Sequence, residues 1–92
     1  MQIIWTKSAV QDNLENIDYL IKEWYYSVAL KYEQKVITTE ELIRKSPFLG
    51  RYDDDLGLYK ILVVEQIYMF YEVRGDAIYI VRMWNNFQKP YW

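Results

Sequence analysis

The side chains that could carry chemistry in this sequence are few, because it contains neither histidine nor cysteine. The absence of cysteine removes disulfides, thiol nucleophiles and thiolate metal ligands. Without histidine, a transition-metal site would need an all-carboxylate ligand set, which such metals seldom use. General acid–base catalysis near neutral pH also loses its usual side chain. We therefore expect no metal and no cofactor, and we favour binding over catalysis.

The remaining candidates for chemistry are two cations and two tyrosines. Lys60 and Arg82 lie on separate predicted strands that a sheet can bring close together. One interpretation is a residual site that binds phosphate or a partner. The other is that both are ordinary cations exposed on their strands. Tyr68 and Tyr91 could act as acids that donate protons. Tyrosine is a poor general base, because its reference pKa is about 10.

The acidic run Asp53-Asp54-Asp55 is the other cluster of potential ligands. A calcium loop of the EF-hand type needs alternating oxygen ligands and a closing glutamate. This run has neither, so it predicts a solvated acidic loop within residues 46–57.

Length and charge restrict the class of protein further. A chain of 92 residues makes one domain, residues 1–92, and 52% hydrophobic residues are enough to build its core. Eleven basic and thirteen acidic residues give a net charge of −2, with no basic cluster stronger than Arg44-Lys45, so direct binding to DNA is disfavoured. No stretch approaches a membrane span and the amino terminus lacks the features of a signal peptide. We expect a cytoplasmic protein.

Two helices are predicted to position these residues. Residues 3–6 form a short strand, after which Thr6 or Ser8 caps a helix that runs to about Tyr25. Its apolar residues recur at spacings of four and three and predict the buried face Val10, Leu14, Ile17, Ile21 and Trp24. A second helix runs from Ser27 to Ser46-Pro47 with a β-branched middle, and its predicted buried face is Ala29, Tyr32, Val36, Thr39 and Ile43.

Three apolar runs at 58–64, 67–73 and 77–83 are separated by turns short enough for hairpins. They predict an antiparallel meander, which the amino-terminal strand joins. The predicted fold is α+β, with a helical hairpin on a four-stranded, mainly antiparallel sheet.

The carboxy-terminal third is rich in aromatic side chains. A sheet with one face on the helices buries alternate residues only, so some of these rings must lie on the other face. Exposed aromatic rings in quantity usually mark an interface. The predicted partner-binding residues are Tyr68, Phe70, Trp84, Phe87, Tyr91 and Trp92. The alternative is a small core with several rings half-exposed.

The order strand, helix, helix and three strands resembles the RelE/ParE toxin superfamily over essentially the whole chain. Several local motifs line up with it in order: Ile4-Trp5-Thr6, Ser46-Pro47-Phe48-Leu49-Gly50-Arg51, Tyr59-Lys60-x-Leu62-Val63, Ile80-Val81-Arg82 and Asn86-x-Gln88-x-Pro90. The resemblance implies a toxin of a type II toxin–antitoxin system, associated with growth arrest and plasmid stabilisation and held by a cognate antitoxin.

The ribonuclease branch of that superfamily cuts messenger RNA on the ribosome. Its members resemble one another in carrying two lysines on one strand, an arginine on the next strand and an arginine near the tail. Lys60 matches the first lysine, but Leu62 and Tyr68 replace the next two cations, and Phe87 or Gln88 replaces the last. Losing one stabilising donor costs roughly 10²- to 10³-fold in rate, so a ribosome-dependent nuclease is disfavoured.

The ParE branch poisons DNA gyrase by binding it and does not need those cations. Arg82, late in the last strand, is the kind of residue that branch carries. The resemblance therefore implies a ParE-like toxin that binds a protein target. The residual catalytic candidates are Lys60, Arg82 and Tyr91, with a ribosome-dependent nuclease and a degenerate, non-toxic binding protein as alternatives.

Overall fold

The computed structural model describes residues 1–87, which form two helices and one sheet. In chain order the elements are β1 (Gln2–Trp5), α1 (Lys7–Glu23), α2 (Tyr26–Lys45), β2 (Arg51–Asp53), β3 (Leu58–Val64), β4 (Ile67–Arg74) and β5 (Ala77–Asn85). The predicted α+β fold, with a helical hairpin followed by a meander, is confirmed. Neither helix in this part of the chain is long and apolar enough to cross a membrane.

The sheet has five strands in the order β1-β5-β4-β3-β2, one more than predicted. β1 pairs in parallel with β5, and the other neighbours are antiparallel. The additional strand, β2, lies in the segment predicted to be a loop. Its three residues are too few to show the alternation that marks a strand in a sequence, and its pairing of Arg51 with Lys60 is visible only in the fold.

A close contact fixes the entry to β2. The Gly50 amide donates a hydrogen bond of 2.9 Å to the hydroxyl of Tyr71. A Cβ atom at position 50 would lie 2.7 Å from that hydroxyl oxygen and 3.0 Å from the carbonyl oxygen of Lys60. Glycine is therefore required here for steric reasons, since neither the buried ring nor the backbone can easily move away.

Helix α2 buries the face that its spacing predicts. Its buried residues are Ala29, Tyr32, Val36, Thr39 and Ile43. The β-branched middle of the helix is continuous, because Val36 and Thr39 pack inward and the Thr39 hydroxyl donates to the carbonyl oxygen of Lys35 at 2.7 Å. For α2, the spacing of the apolar residues alone predicts which face is buried.

The predicted buried face of α1 is wrong at four of its five residues, and the fifth, Ile17, is partly buried against the core. The buried residues of α1 are Ala9, Asn16 and Leu20, whereas Val10, Leu14, Ile21 and Trp24 are between 42% and 58% exposed. The N-cap is Thr6, whose side chain accepts a hydrogen bond from the Ala9 amide. The helix is thus rotated from the predicted orientation, and polar side chains face the sheet.

Contacts with the edge of β5 explain this rotation. β1 ends at Trp5, opposite Ile80, and leaves the next β5 residues without a strand partner on that side. The Thr6 hydroxyl donates to the carbonyl oxygen of Val81 at 3.0 Å, and the Met83 amide donates to Asp12 at 3.0 Å. The Asn16 amide group donates to the carbonyl oxygen of Met83 at 3.0 Å. Because buried backbone groups need partners, α1 presents its polar residues to this edge.

A buried polar network joins the two helices. The Tyr32 hydroxyl donates to Asn13 at 2.6 Å and accepts from Asn16 at 3.2 Å. Burial raises the pKa of Tyr32 far above its ordinary value, so the hydroxyl stays protonated and can donate.

Replacing Tyr32 by phenylalanine is expected to destabilise the fold by about 1–3 kcal/mol, because Asn13 and Asn16 each lose a hydrogen-bond partner in or near the core. Urea denaturation followed by circular dichroism measures the loss. Tyr26→Phe is the matched control, since Tyr26 begins the same helix and is 65% exposed. Equal stability of the two variants would contradict a structural role for the network.

Candidate functional site

Within residues 1–87, one face of the sheet carries no helix and collects most of the residues predicted to form a site. Cross-strand neighbours share a face, and the register places Lys60, Phe70 and Arg82 in one row across β3, β4 and β5. Leu62, Tyr68 and Trp84 form the adjacent row. We call these six residues the open-face patch.

Phe70 is the floor of the open-face patch. It is 3% exposed, and its ring lies 6.5 Å from that of Tyr68. The Lys60 ammonium lies 5.6 Å from the centre of the Tyr68 ring, and the Arg82 guanidinium lies 4.8 Å from the Trp84 ring, distances typical of cation–π contacts. Phe70 therefore lies on the predicted face but is covered by its neighbours, and its role in partner binding stays a prediction.

Arg82 is held by a carboxylate that the sequence did not assign to the site. Its Nε and Nη2 atoms donate to the two oxygens of Asp12 at 2.6 and 3.0 Å. The hydrogen bonds that Arg82 donates to Asp12 raise the pKa of Arg82, although burial opposes this shift. A phosphate ligand would have to displace Asp12 to use both of these donors, so the pair argues against Arg82 as a phosphate-binding residue.

Phe87 lies apart from the open-face patch, and its predicted role in partner binding stays a prediction. Its ring stacks on Tyr19 of α1 with the ring centres 6.2 Å apart. It also lines a cavity of about 280 Å³ with Leu20, Trp24, Val28, Lys31, Tyr32, Val64 and Glu65. The predicted residues Tyr91 and Trp92 lie outside the described residues.

At the end of β5 and just after it, three buried side-chain atoms have no hydrogen-bond partner among the described residues. They are Trp84 Nε1, Asn85 Nδ2 and Asn86 Oδ1. Such atoms are uncommon in folded proteins, and a bound segment can satisfy them. Asn86 belongs to the motif Asn86-x-Gln88-x-Pro90, and nothing in the sequence indicates that Asn85 and Asn86 would be buried.

The open-face patch is largely apolar and aromatic between its two cations. Leu62 and Tyr68 occupy neighbouring positions on β3 and β4, where the resemblance to the ribonuclease branch would imply cations, and Leu62 is 52% exposed. Within residues 1–87, no three potential metal-ligating side chains converge. What the patch offers instead is aromatic surface flanked by two cations, an arrangement suited to binding a protein segment.

Sequence comparison decides the family. The family model described as the ParE toxin of type II toxin-antitoxin system, parDE, matches residues 3–88. The chain belongs to this family. A sequence search of curated proteins finds no match.

Solved ParE-type structures have the same fold. A chain described as the chromosomal ParDE TA system from P. aeruginosa is 22% identical and superposes with a TM-score of 0.75, covering 92% of this chain and 95% of that one. The YoeB/ParE toxin from Agrobacterium tumefaciens is 13% identical with a TM-score of 0.66, covering 92% of this chain and 98% of that one. The predicted RelE/ParE membership is confirmed.

Proposed function

We propose that this ParE-family chain is the toxin of a type II toxin–antitoxin pair and acts by binding a cellular protein, with DNA gyrase as the target that the family resemblance suggests. A cognate antitoxin neutralises it by covering the open-face patch. Such a toxin acts in the cytoplasm, arrests growth, and contacts DNA only through its antitoxin.

The observation that carries this proposal is the composition of the open-face patch. Of the basic positions implied by the ribonuclease branch, Lys60 alone is retained, and it lies beside Phe70 and Tyr68 rather than beside other nuclease cations. The guanidinium of Arg82 is engaged by Asp12. Aromatic side chains with paired cations favour recognition of a protein surface over stabilisation of a phosphate transition state.

The proposal predicts that induced expression of the chain arrests growth, and that co-expression of the small reading frame beside its gene restores it. The purified protein should block supercoiling by gyrase or trap cleaved DNA. Lys60→Ala should still arrest growth, because no bond cleavage depends on its charge.

Two results would contradict the proposal in different ways. Harmless expression at high level would indicate a degenerate member kept for its interactions. Cleavage of ribosome-bound messages that is abolished by Lys60→Ala would indicate the RelE-like ribonuclease instead.

A further inference from the structure

The outer face of the helical hairpin exposes a second apolar surface, on the side of the sheet opposite the open-face patch. Six residues form it and are between 42% and 61% exposed: Val10, Leu14 and Ile21 of α1, Trp24 at the C-cap of α1, and Leu30 and Ile37 of α2. We call them the hairpin face. Ile17, on the same stripe of α1, is partly buried against the core and lines the same depression as Ile37.

The spacing on α1 is that of a helix whose apolar stripe packs against another helix. Val10, Leu14, Ile17, Ile21 and Trp24 alternate steps of four and three residues, as the d and a positions of two heptads do. The sheet instead buries the neighbouring side of the helix through Ala9, Asn16 and Leu20. Single exposed apolar residues are ordinary, but a continuous stripe of this kind marks an interaction surface.

The groove beside this stripe is acidic. A depression of about 280 Å³ is lined by Trp5, Asn13, Ile17, Glu33, Val36, Ile37 and Glu40. Glu40 accepts a hydrogen bond of 3.0 Å from the Trp5 indole, and neither Glu33 nor Glu40 forms an ion pair with another described residue. Two carboxylates in an apolar depression favour an incoming Lys or Arg, whose aliphatic stem can pack on the isoleucines.

We propose that the hairpin face binds an amphipathic helix of a partner protein in which Lys or Arg flanks the apolar stripe, with one basic side chain entering the depression between Glu33 and Glu40. The stripe from Val10 to Trp24 is about 21 Å long at 1.5 Å per residue, so the bound helix spans about four turns. A second copy of this chain is a poor occupant, because its own net charge is −2 and pairing of two hairpin faces brings carboxylates together.

This interaction is independent of whether the chain is toxic, and a defined probe tests it. The probe is a designed helical peptide of about three heptads with leucine at the a and d positions and lysine at the flanking positions. The control peptide has glutamate in place of lysine. Binding to the full chain is measured by isothermal titration calorimetry. The lysine peptide is expected to bind at least about tenfold more tightly than the glutamate peptide. The reason is that one of its lysines gains a close charge pair with each of Glu33 and Glu40.

Variants of the chain locate the binding surface. Leu14→Gln should weaken binding of the lysine peptide about tenfold, which corresponds to loss of one buried leucine contact. Leu56→Gln is the matched control, since Leu14 and Leu56 are 58% and 52% exposed and Leu56 lies in the turn between β2 and β3, outside both helices. Glu33→Gln with Glu40→Gln should reduce the preference for lysine over glutamate while leaving the Trp5 indole an amide oxygen as acceptor.

Three outcomes would overturn the proposal. The first is equal affinity for the two peptides, and the second is equal weakening by Leu14→Gln and Leu56→Gln. The third is self-association in sedimentation that Leu14→Gln abolishes, because the occupant would then be a second copy. Circular dichroism of each variant checks that the fold is retained.

Discussion

Replacing Asp12 by alanine is expected to lower the free energy of unfolding by about 2–4 kcal/mol, a large fraction of the roughly 5–15 kcal/mol typical of a whole domain. The Asp12 carboxylate accepts two hydrogen bonds from Arg82 and one from the Met83 amide. Its side chain is 13% exposed and that of Arg82 is 38% exposed. The variant leaves a half-buried cation and a strand-edge amide without their acceptor, and both must then find water.

A second aspartate on the same helix provides the control. Asp18 pairs with Lys22 at 2.9 Å, but their side chains are 63% and 69% exposed. Exposed pairs of this kind contribute roughly 0.3–0.5 kcal/mol, so Asp18→Ala should change stability little. Urea denaturation of both variants gives the comparison. Equal losses would mean that the Asp12 contacts add nothing beyond an ordinary surface pair.

The conservative variant Asp12→Asn separates charge from hydrogen bonding. It keeps an amide oxygen that can accept from Arg82 or Met83, but it removes the negative charge and introduces donors facing a cation. We expect its stability to lie between those of the wild-type chain and Asp12→Ala, because hydrogen bonds to charged groups are worth about 1.5–3 kcal/mol and neutral ones less. If Asp12→Asn were as stable as the wild-type chain, the negative charge of Asp12 would contribute nothing. The loss of stability in Asp12→Ala would then come from the shape of the missing side chain.

The two helices show how far apolar spacing predicts burial. On α2 the buried residues are those of the predicted stripe, because most of that stripe packs into the apolar core, although Tyr32 also hydrogen-bonds to α1. On α1 the stripe apart from Ile17 is exposed, since the free edge of β5 must be satisfied by Asp12 and Asn16. A spacing pattern shows that a face is apolar. It does not show whether the core or a separate partner covers that face.

The candidate site was predictable to the extent that it follows from strand alternation. Lys60, Tyr68, Phe70 and Trp84 share a face because cross-strand pairing and alternation require it. The Asp12–Arg82 contact joins residues separated by 70 positions. No local sequence pattern predicts such a contact. The place of Phe87 against Tyr19 likewise depends on where the chain turns after β5.

The open-face patch has a consequence for antitoxin binding, given the proposed function. Tyr68→Ala is expected to weaken binding of the cognate antitoxin by about 30-fold, since aromatic residues at the centre of an interface typically contribute about 2 kcal/mol or more. Tyr68 lies in the middle of the patch, between Leu62 and Trp84 in its row. Its ring supplies contact area at little entropic cost, and the Lys60 ammonium lies 5.6 Å from its centre.

Tyr79 is the matched control for this experiment. It lies on the same face of the sheet, opposite Glu72, and is half-buried with the Arg74 guanidinium 4.9 Å from its ring centre. It is therefore a tyrosine beside a cation like Tyr68, but it lies near the other end of β5. Tyr79→Ala should cost a similar amount of stability in urea and leave antitoxin affinity nearly unchanged. Calorimetry measures the antitoxin affinity of both variants. Equal losses of affinity in Tyr68→Ala and Tyr79→Ala would show that the open-face patch is not the centre of the antitoxin interface.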